Sequence, residues 1–167
     1  MARLIWITGL PGSGKTTLAA SLTTYLRQRG LAVVHLDGDQ LREAIAVRQG
    51  YDIETRLNFA RSYQAISKVL ISQDISVVMS TVSMFKEIYE SNRNDFLDYF
   101  EVYLDVDFET RSLSGREELY AKVEFAPGVN QHVDLPTDSD LVLSANSKED
   151  RSIWLETLIL KLNGRLE

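Results

Sequence analysis

Apolar residues fall along this chain in two alternating rhythms. Short, mainly apolar runs occupy 4–7, 31–36, 75–79, 100–106 and 141–143, interrupted by His35, Ser76, Glu101 and Asp105. Runs of this length suit strands buried on both faces of a parallel sheet. Between them lie longer stretches with helical spacing. One runs over 15–29 and meets Gly30, a residue suited to closing a helix. Another covers 53–70, where apolar or aromatic side chains at 53, 57, 60, 63, 66 and 70 mark one face. Two more are predicted over 85–99 and 150–162. Strand alternating with helix predicts a doubly wound α/β fold, one domain over 1–167, around a parallel five-stranded sheet. Residues 112–139 carry the weakest pattern and hold Pro127 and Pro136, so an excursion such as a lid is expected there.

Composition narrows the classes. Apolar residues make up 44% and charged residues 25%, enough to bury a core. Cysteine is absent, which excludes disulfides, thiolate metal sites and a cysteine nucleophile. The net charge of -6 argues against nucleic acid and anionic membranes as general partners. No apolar run approaches the roughly 18 residues of a membrane span. The N-terminus leads directly into a strand without a signal-peptide layout, so a cytoplasmic location is expected.

Local chemistry concentrates in Gly9-Leu10-Pro11-Gly12-Ser13-Gly14-Lys15-Thr16, which fits G-x-x-x-x-G-K-[ST]. The composition would produce about 0.0025 such matches by accident in a chain of this length. The loop also stands between a strand and a helix, as the motif requires. Glycines let backbone N–H groups converge on a phosphate chain, and the helix adds its positive end. Lys15 is suited to β- and γ-phosphate oxygens and the Thr16 hydroxyl to Mg²⁺. These features predict a nucleoside triphosphate and Mg²⁺, without choosing by themselves between a kinase, a GTPase and a motor ATPase. A GTPase would carry Asn-Lys-x-Asp; the nearest segment, 146–150, has an inserted residue.

The second strand ends in Asp37-Gly38-Asp39, at the sheet edge where open α/β folds bind ligands. One carboxylate is placed to serve Mg²⁺ and the other to take a proton from an attacking hydroxyl. The plainer reading is an acidic turn with Asp39 as a helix N-cap. Arg42, one turn on, is placed for a substrate phosphate. Arg56 and Arg61 fall about 140° apart on an ideal helix and need not converge. His35 reads as a satisfied strand residue, Trp6 and Trp154 as core, and His132 as a lid residue.

Gly-Leu-Pro-Gly-Ser-Gly-Lys-Thr-Thr (9–17), Leu-Asp-Gly-Asp-x-x-Arg (36–42), Gly-Tyr-Asp-x-x-x-Arg (50–56) and Leu-Tyr-x-Lys (119–122) together resemble the adenylylsulfate (APS) kinases, over about 4–143. The resemblance implies a P-loop kinase that transfers the γ-phosphate of ATP to the 3′-hydroxyl of adenosine 5′-phosphosulfate with Mg²⁺. It implies that Gly9 through Thr17 hold the ATP phosphates and Thr16 the metal, with Asp37 helping. Lys15 and Asp39 would be catalytic. Arg42 and Arg56 would grip the acceptor's anionic group, and Tyr51 would stack on its base. Arg61, Ser83 and Lys122 match further substrate-side positions. The family also suggests a homodimer.

Departures cluster in the acceptor half. The family's Phe-Ile-Ser-Pro segment is Thr81-Val82-Ser83-Met84, the asparagine three residues after Arg56 is Phe59, and the lid's Arg-Asp pair is Ser114 and Gly115. The lid's glycine is Glu118, and its stacking phenylalanine falls near Asn130. Ser83-Met84-Phe85-Lys86-Glu87-Ile88 is similar to a divergent branch of the family, cytidine diphosphoramidate kinases of capsule decoration. A third alternative is a nucleotide-binding regulator that no longer catalyses.

Overall fold

The computed structural model describes residues 2–45, 50, 52–112, 132–147 and 149–164. Five strands form one sheet: β1 (Leu4–Gly9), β2 (Val33–Asp37), β3 (Ser76–Thr81), β4 (Tyr99–Val106) and β5 (Leu141–Ala145). Every pairing is parallel, and the spatial order is β2-β3-β1-β4-β5. The helices are α1 (Lys15–Gln28), α2 (Gly38–Ile45), α3 (Ile53–Ile71), α4 (Lys86–Asp95), α5 (Phe108–Ser112) and α6 (Trp154–Asn163), the last preceded by a 3₁₀ turn over Glu149–Ile153. This is the expected doubly wound arrangement. Among the described residues, no helix is long and apolar enough to cross a membrane.

The sheet is buried on both faces, and β1 shows why its sequence is continuously apolar. Ile5 and Ile7 enter the cluster formed with Leu18 and Leu22 of α1 and Leu158 and Leu162 of α6. Leu4 and Trp6 enter the opposite cluster, with Phe59 and Tyr63 of α3 and Ile88 of α4. Adjacent strand residues face opposite sides, so a central strand between two helical layers needs apolar residues at every position. Each large side chain so buried contributes roughly 1.5–3 kcal/mol of transfer free energy. Trp6 and Trp154 both lie in these cores.

Several boundaries differ from the sequence reading. The second strand begins at Val33, because Leu31 belongs to the close of α1. Gly30 donates to the Arg27 carbonyl and Leu31 to that of Leu26, with Gly30 at φ 79. That double bond is a glycine-terminated helix end. The helix expected over 85–99 stops at Asp95, since Phe96 and Tyr99 turn into the core and Tyr99 opens β4. On α3 the buried face is Arg56, Phe59, Ala60, Tyr63, Gln64 and Ser67, while Ile53 is 52% exposed. Leu57, Ala60, Tyr63 and Leu70 of the predicted stripe do pack into the core, and polar residues widen the buried face beside them. Gln64 donates to Asn92 (2.8 Å) and Ser91 (2.6 Å), and the Ser67 hydroxyl to the Tyr63 carbonyl (2.8 Å). Helix α5, five residues long, is too short to carry a periodic signature, whereas α2 places Leu41 and Ile45 one turn apart. Most of the expected lid, 113–131, lies outside the described residues.

Candidate active site

The carboxyl ends of β1, β2 and β3 open onto one cleft of about 180 Å³. Its walls include Gly12, Gly14, Lys15, Thr16 and Thr17 from the loop after β1, Asp37 and Asp39 from the β2 end, and Ser80 and Thr81 from the β3 end. Parallel strands place all these termini at one edge, which is why residues distant in sequence meet there.

The loop is shaped around its own backbone. Gly14 stands at φ 100, a left-handed conformation that costs glycine little, and from it α1 begins at Lys15. The Lys15 ammonium is nearly buried, at 9% exposure. It donates to the Leu10 carbonyl (2.9 Å) and the Ser13 hydroxyl (3.4 Å). Thus a cation is held against oxygens of its own loop, at the positive N-terminal end of α1.

Asp37 is the hub of the opposite wall. Its Oδ2 accepts from the hydroxyls of Thr16 (2.8 Å) and Ser80 (2.7 Å), and its Oδ1 from the N–H groups of Asp39 (3.1 Å) and Gln40 (3.3 Å). Burial pushes its carboxyl up, but these four hydrogen bonds outweigh burial and hold it below the usual aspartate range. The N-cap of α2 is therefore Asp37, not Asp39. Asp39 sits exposed in the first turn with its carboxylate free of that structural duty. Gly38 permits this tight exit: a β-carbon there would meet Thr81 Oγ1 at 2.8 Å, and the Gly38 carbonyl accepts from the Tyr63 hydroxyl at 2.9 Å. Burial raises the Tyr63 phenol to about 12, so this donor keeps its proton.

Ser80 links the hub to His35, whose Nε2 lies 2.9 Å from Ser80 Oγ. His35 is thus a satisfied strand residue, as expected. Burial is the main influence and lowers its pKa; Asp37 opposes this, and Arg27 adds to it. Thr16 and Asp37 fit Mg²⁺ by donor chemistry: a hydroxyl and a depressed carboxylate, both hard oxygens, side by side at the phosphate loop. No group of three or more His, Asp or Glu able to hold a metal occurs among the described residues. Mg²⁺ sites of phosphoryl-transfer enzymes need none, because substrate oxygens complete them.

The residues expected on the acceptor side separate. Arg42 and Arg56 come together: Arg42 lies over the Phe59 ring (4.6 Å) and donates to the Gly50 carbonyl, while Arg56 lies over Phe85 (5.1 Å). Asp52 brings Arg56 there by capping α3 through the Thr55 N–H (2.9 Å). Arg56 is 7% exposed; burial first, and then the charge of Arg42, lower its pKa. Arg61 does not join them. It pairs with Glu87 across the α3–α4 surface (2.8 Å). Ser83 is buried, its hydroxyl 2.8 Å from that of Thr81. His132 is exposed and lies 3.2 Å from Asp134, whose carboxylate also accepts from the Lys86 N–H (2.9 Å) and so caps α4. Tyr51 and Lys122 lie outside the described residues.

Sequence reasoning missed Ser80, Thr81 and Arg151 as cleft residues. The first two were open to discovery, because they close β3 at the ligand-binding edge. Arg151 arrives from beyond β5 and had no sequence signal.

Comparisons with known proteins agree with this geometry. The family model described as Adenylylsulphate kinase matches residues 1–144. The cytidine diphosphoramidate kinase of Campylobacter jejuni is 34% identical over 164 residues, covering 95% of each chain. The adenylyl-sulfate kinase of Thermodesulfovibrio yellowstonii is 37% identical over 121 residues, covering 71% of this chain and 60% of that protein. Among solved structures, the Mycobacterium tuberculosis APS kinase CysC in complex with AMPPNP and APS shares the fold, with a TM-score of 0.85 at 24% identity, covering 97% of this chain and 98% of that one. With a glycine-rich phosphate loop, a carboxylate hub and a matching fold on one sheet edge, this chain belongs to the adenylylsulphate kinase family of ATP-dependent P-loop kinases.

Proposed function

We propose that the protein transfers the γ-phosphoryl group of ATP to the 3′-hydroxyl of a small anionic nucleotide, with APS as the acceptor. One observation carries the reading: the phosphate loop and the Asp37–Asp39 turn border the same cleft. A triphosphate laid along the loop would have its terminal group opposite Asp39. Lys15 would exchange its loop partners for β- and γ-phosphate oxygens, and Thr16 and Asp37 would hold Mg²⁺. The metal supplies charge neutralisation on those oxygens. Asp39, exposed in the cleft, would accept the proton of the attacking hydroxyl. Arg42 and Arg56, two neighbouring cations on aromatic platforms, suit the acceptor's anionic group, which would relieve their mutual repulsion. Tyr51 and Lys122 keep their proposed roles on the acceptor base and in the lid. Ser83 keeps a substrate-side role, and Arg61 would have to leave Glu87 to take one. A homodimer belongs to the same proposal and rests on family likeness alone.

Cytidine diphosphoramidate is the second reading for the acceptor. It is favoured by the likeness to the Campylobacter jejuni enzyme over 95% of both chains and by the segment Ser83-Met84-Phe85-Lys86-Glu87-Ile88. Phe59 puts a buried ring under Arg42 where APS kinases carry an asparagine. Purified protein with ATP and Mg²⁺ is to be assayed with APS and with cytidine diphosphoramidate. Phosphorylated APS supports the first reading; turnover with the cytidine compound alone replaces it with the second. Asp39→Asn should reduce transfer by about 10²–10⁴-fold while leaving ADP affinity unchanged. Undiminished transfer by that variant would refute the role of Asp39.

A further inference from the structure

We propose that Arg151 is a donor-nucleotide residue, its guanidinium taking the α-phosphate end of ATP from the β5 side of the cleft. The inference rests on the reading of the loop as a triphosphate site. Arg151 lies in the 3₁₀ turn before α6 and lines the same cleft as Gly14, Lys15 and Thr17. Its guanidinium carbon stands 5.7 Å from the ring of Trp154, which is buried at 4% exposure and serves as a fixed platform. The group is aimed at the loop: a β-carbon on Gly14 would come within 3.4 Å of Nη1.

Two of its nitrogens, Nε and Nη2, are shielded from solvent and have no hydrogen-bond partner among the described residues. Shielded guanidinium N–H groups are costly to leave without acceptors, so such an arrangement points to a ligand that supplies them. No carboxylate among the described residues supplies them. Asp107 is the acidic group whose charge favours the cation, but its carboxylate accepts from the Thr110 N–H (2.6 Å) and hydroxyl (3.1 Å). Phosphate oxygens match the fork of an arginine and form charge-assisted bonds with it.

Topology decides which phosphate. In the order β2-β3-β1-β4-β5, Asp37, Asp39 and Ser80 stand on the β2–β3 side of the phosphate loop. Arg151 comes from the chain beyond β5. A triphosphate whose terminal group faces Asp39 therefore has its nucleoside end on the side of Arg151. Lys15 serves the β- and γ-phosphates, and Arg151 is a second cation at the other end.

Calorimetric titration of the full chain with ADP and with ATP, both with Mg²⁺, tests this. Arg151→Gln should weaken ADP and ATP alike by about tenfold or more, because the α-phosphate is common to both. In turnover the KM for ATP should rise, with the KM for the acceptor unchanged. Arg151→Met keeps an apolar stem over Trp154; it should melt like wild type yet show the same loss. Arg151→Lys should recover part of the affinity. Wild-type ADP affinity in both the Gln and Met variants would overturn the inference, as would a lowered melting temperature with unchanged affinity. Loss confined to ATP would also overturn it, because the contact would then lie at the γ end. Failure of the wild-type protein to bind either nucleotide would instead remove the triphosphate reading itself, and the role of Arg151 with it.

Discussion

Replacing Asp37 separates two jobs that one carboxylate performs. Its Oδ1 caps α2 through two rather long bonds from the N–H groups of Asp39 and Gln40, and its Oδ2 receives the Thr16 and Ser80 hydroxyls. Asparagine caps a helix about as well as aspartate, so Asp37→Asn should keep the first job. It puts an amide N–H₂ where Oδ2 received two hydroxyls, at a cost of about 2 kcal/mol for charge-assisted bonds that can partly re-form. Asp37→Ala loses the cap as well, a further ~1 kcal/mol, for a total of about 3 kcal/mol. Urea denaturation of the three proteins measures that ladder. Acceptor-dependent ADP release measures the chemistry, which should fall about 100-fold in Asp37→Asn at limiting Mg²⁺ and recover in part as Mg²⁺ is raised. Wild-type turnover in Asp37→Asn, or a loss indifferent to Mg²⁺, would refute the metal-side role. Equal stability of the Asn and Ala variants would refute the cap.

His35 yields a pH dependence. Burial holds its folded pKa below the ordinary 6.5, so the unfolded chain binds the extra proton. Its stabilising contribution is complete above 6.5 and declines as pH falls from there toward the folded value. In His35→Gln, whose amide can still donate to Ser80, the loss of stability between about pH 7.5 and about pH 5 should shrink; urea midpoints at the two pH values that differ as much as in wild type would count against this. Glu101 is fully buried on β4 and pairs with Arg93 (3.1 Å), while accepting from Tyr99 (2.7 Å) and Ser139 (2.8 Å). Arg93→Ala strands that charge and should destabilise the protein by about 3 kcal/mol, and Arg93→Ala combined with Glu101→Gln should recover much of the loss. A double variant no more stable than the single one would show that the pair is not the cause.

The phosphate loop was legible because its constraints are local. Gly14 needs its left-handed backbone, Lys15 and Thr16 need the first turn of a helix, and a strand must precede them, all within neighbouring residues. The parallel sheet was legible for a related reason. Burial on two faces writes itself into unbroken apolar runs such as 4–7, whose residues divide between two cores. Asp37 beside Thr16 was implied by the family resemblance, and the two meet because the loop after β1 and the end of β2 lie at one sheet edge.

Other features depend on partners far away in the chain. The stripe through Leu57, Ala60, Tyr63 and Leu70 of α3 was legible, but that Gln64 is buried beside it depends on Asn92 and Ser91 receiving its amide, and no periodicity within 53–70 contains that information. Arg56 and Arg61 look alike in sequence, yet one is buried over Phe85 beside Arg42 and the other is tied to Glu87 at the surface. Asp37 rather than Asp39 caps α2 because the helix starts at Gly38, where the chain passes close against Thr81 of β3. Arg151 enters the cleft only because β5 and the turn after it fold back beside the loop that follows β1. Backbone geometry and burial act within a few residues and can be read along a chain. Hydrogen-bond and charge partners are chosen in space, so their assignment waits for the packed sheet.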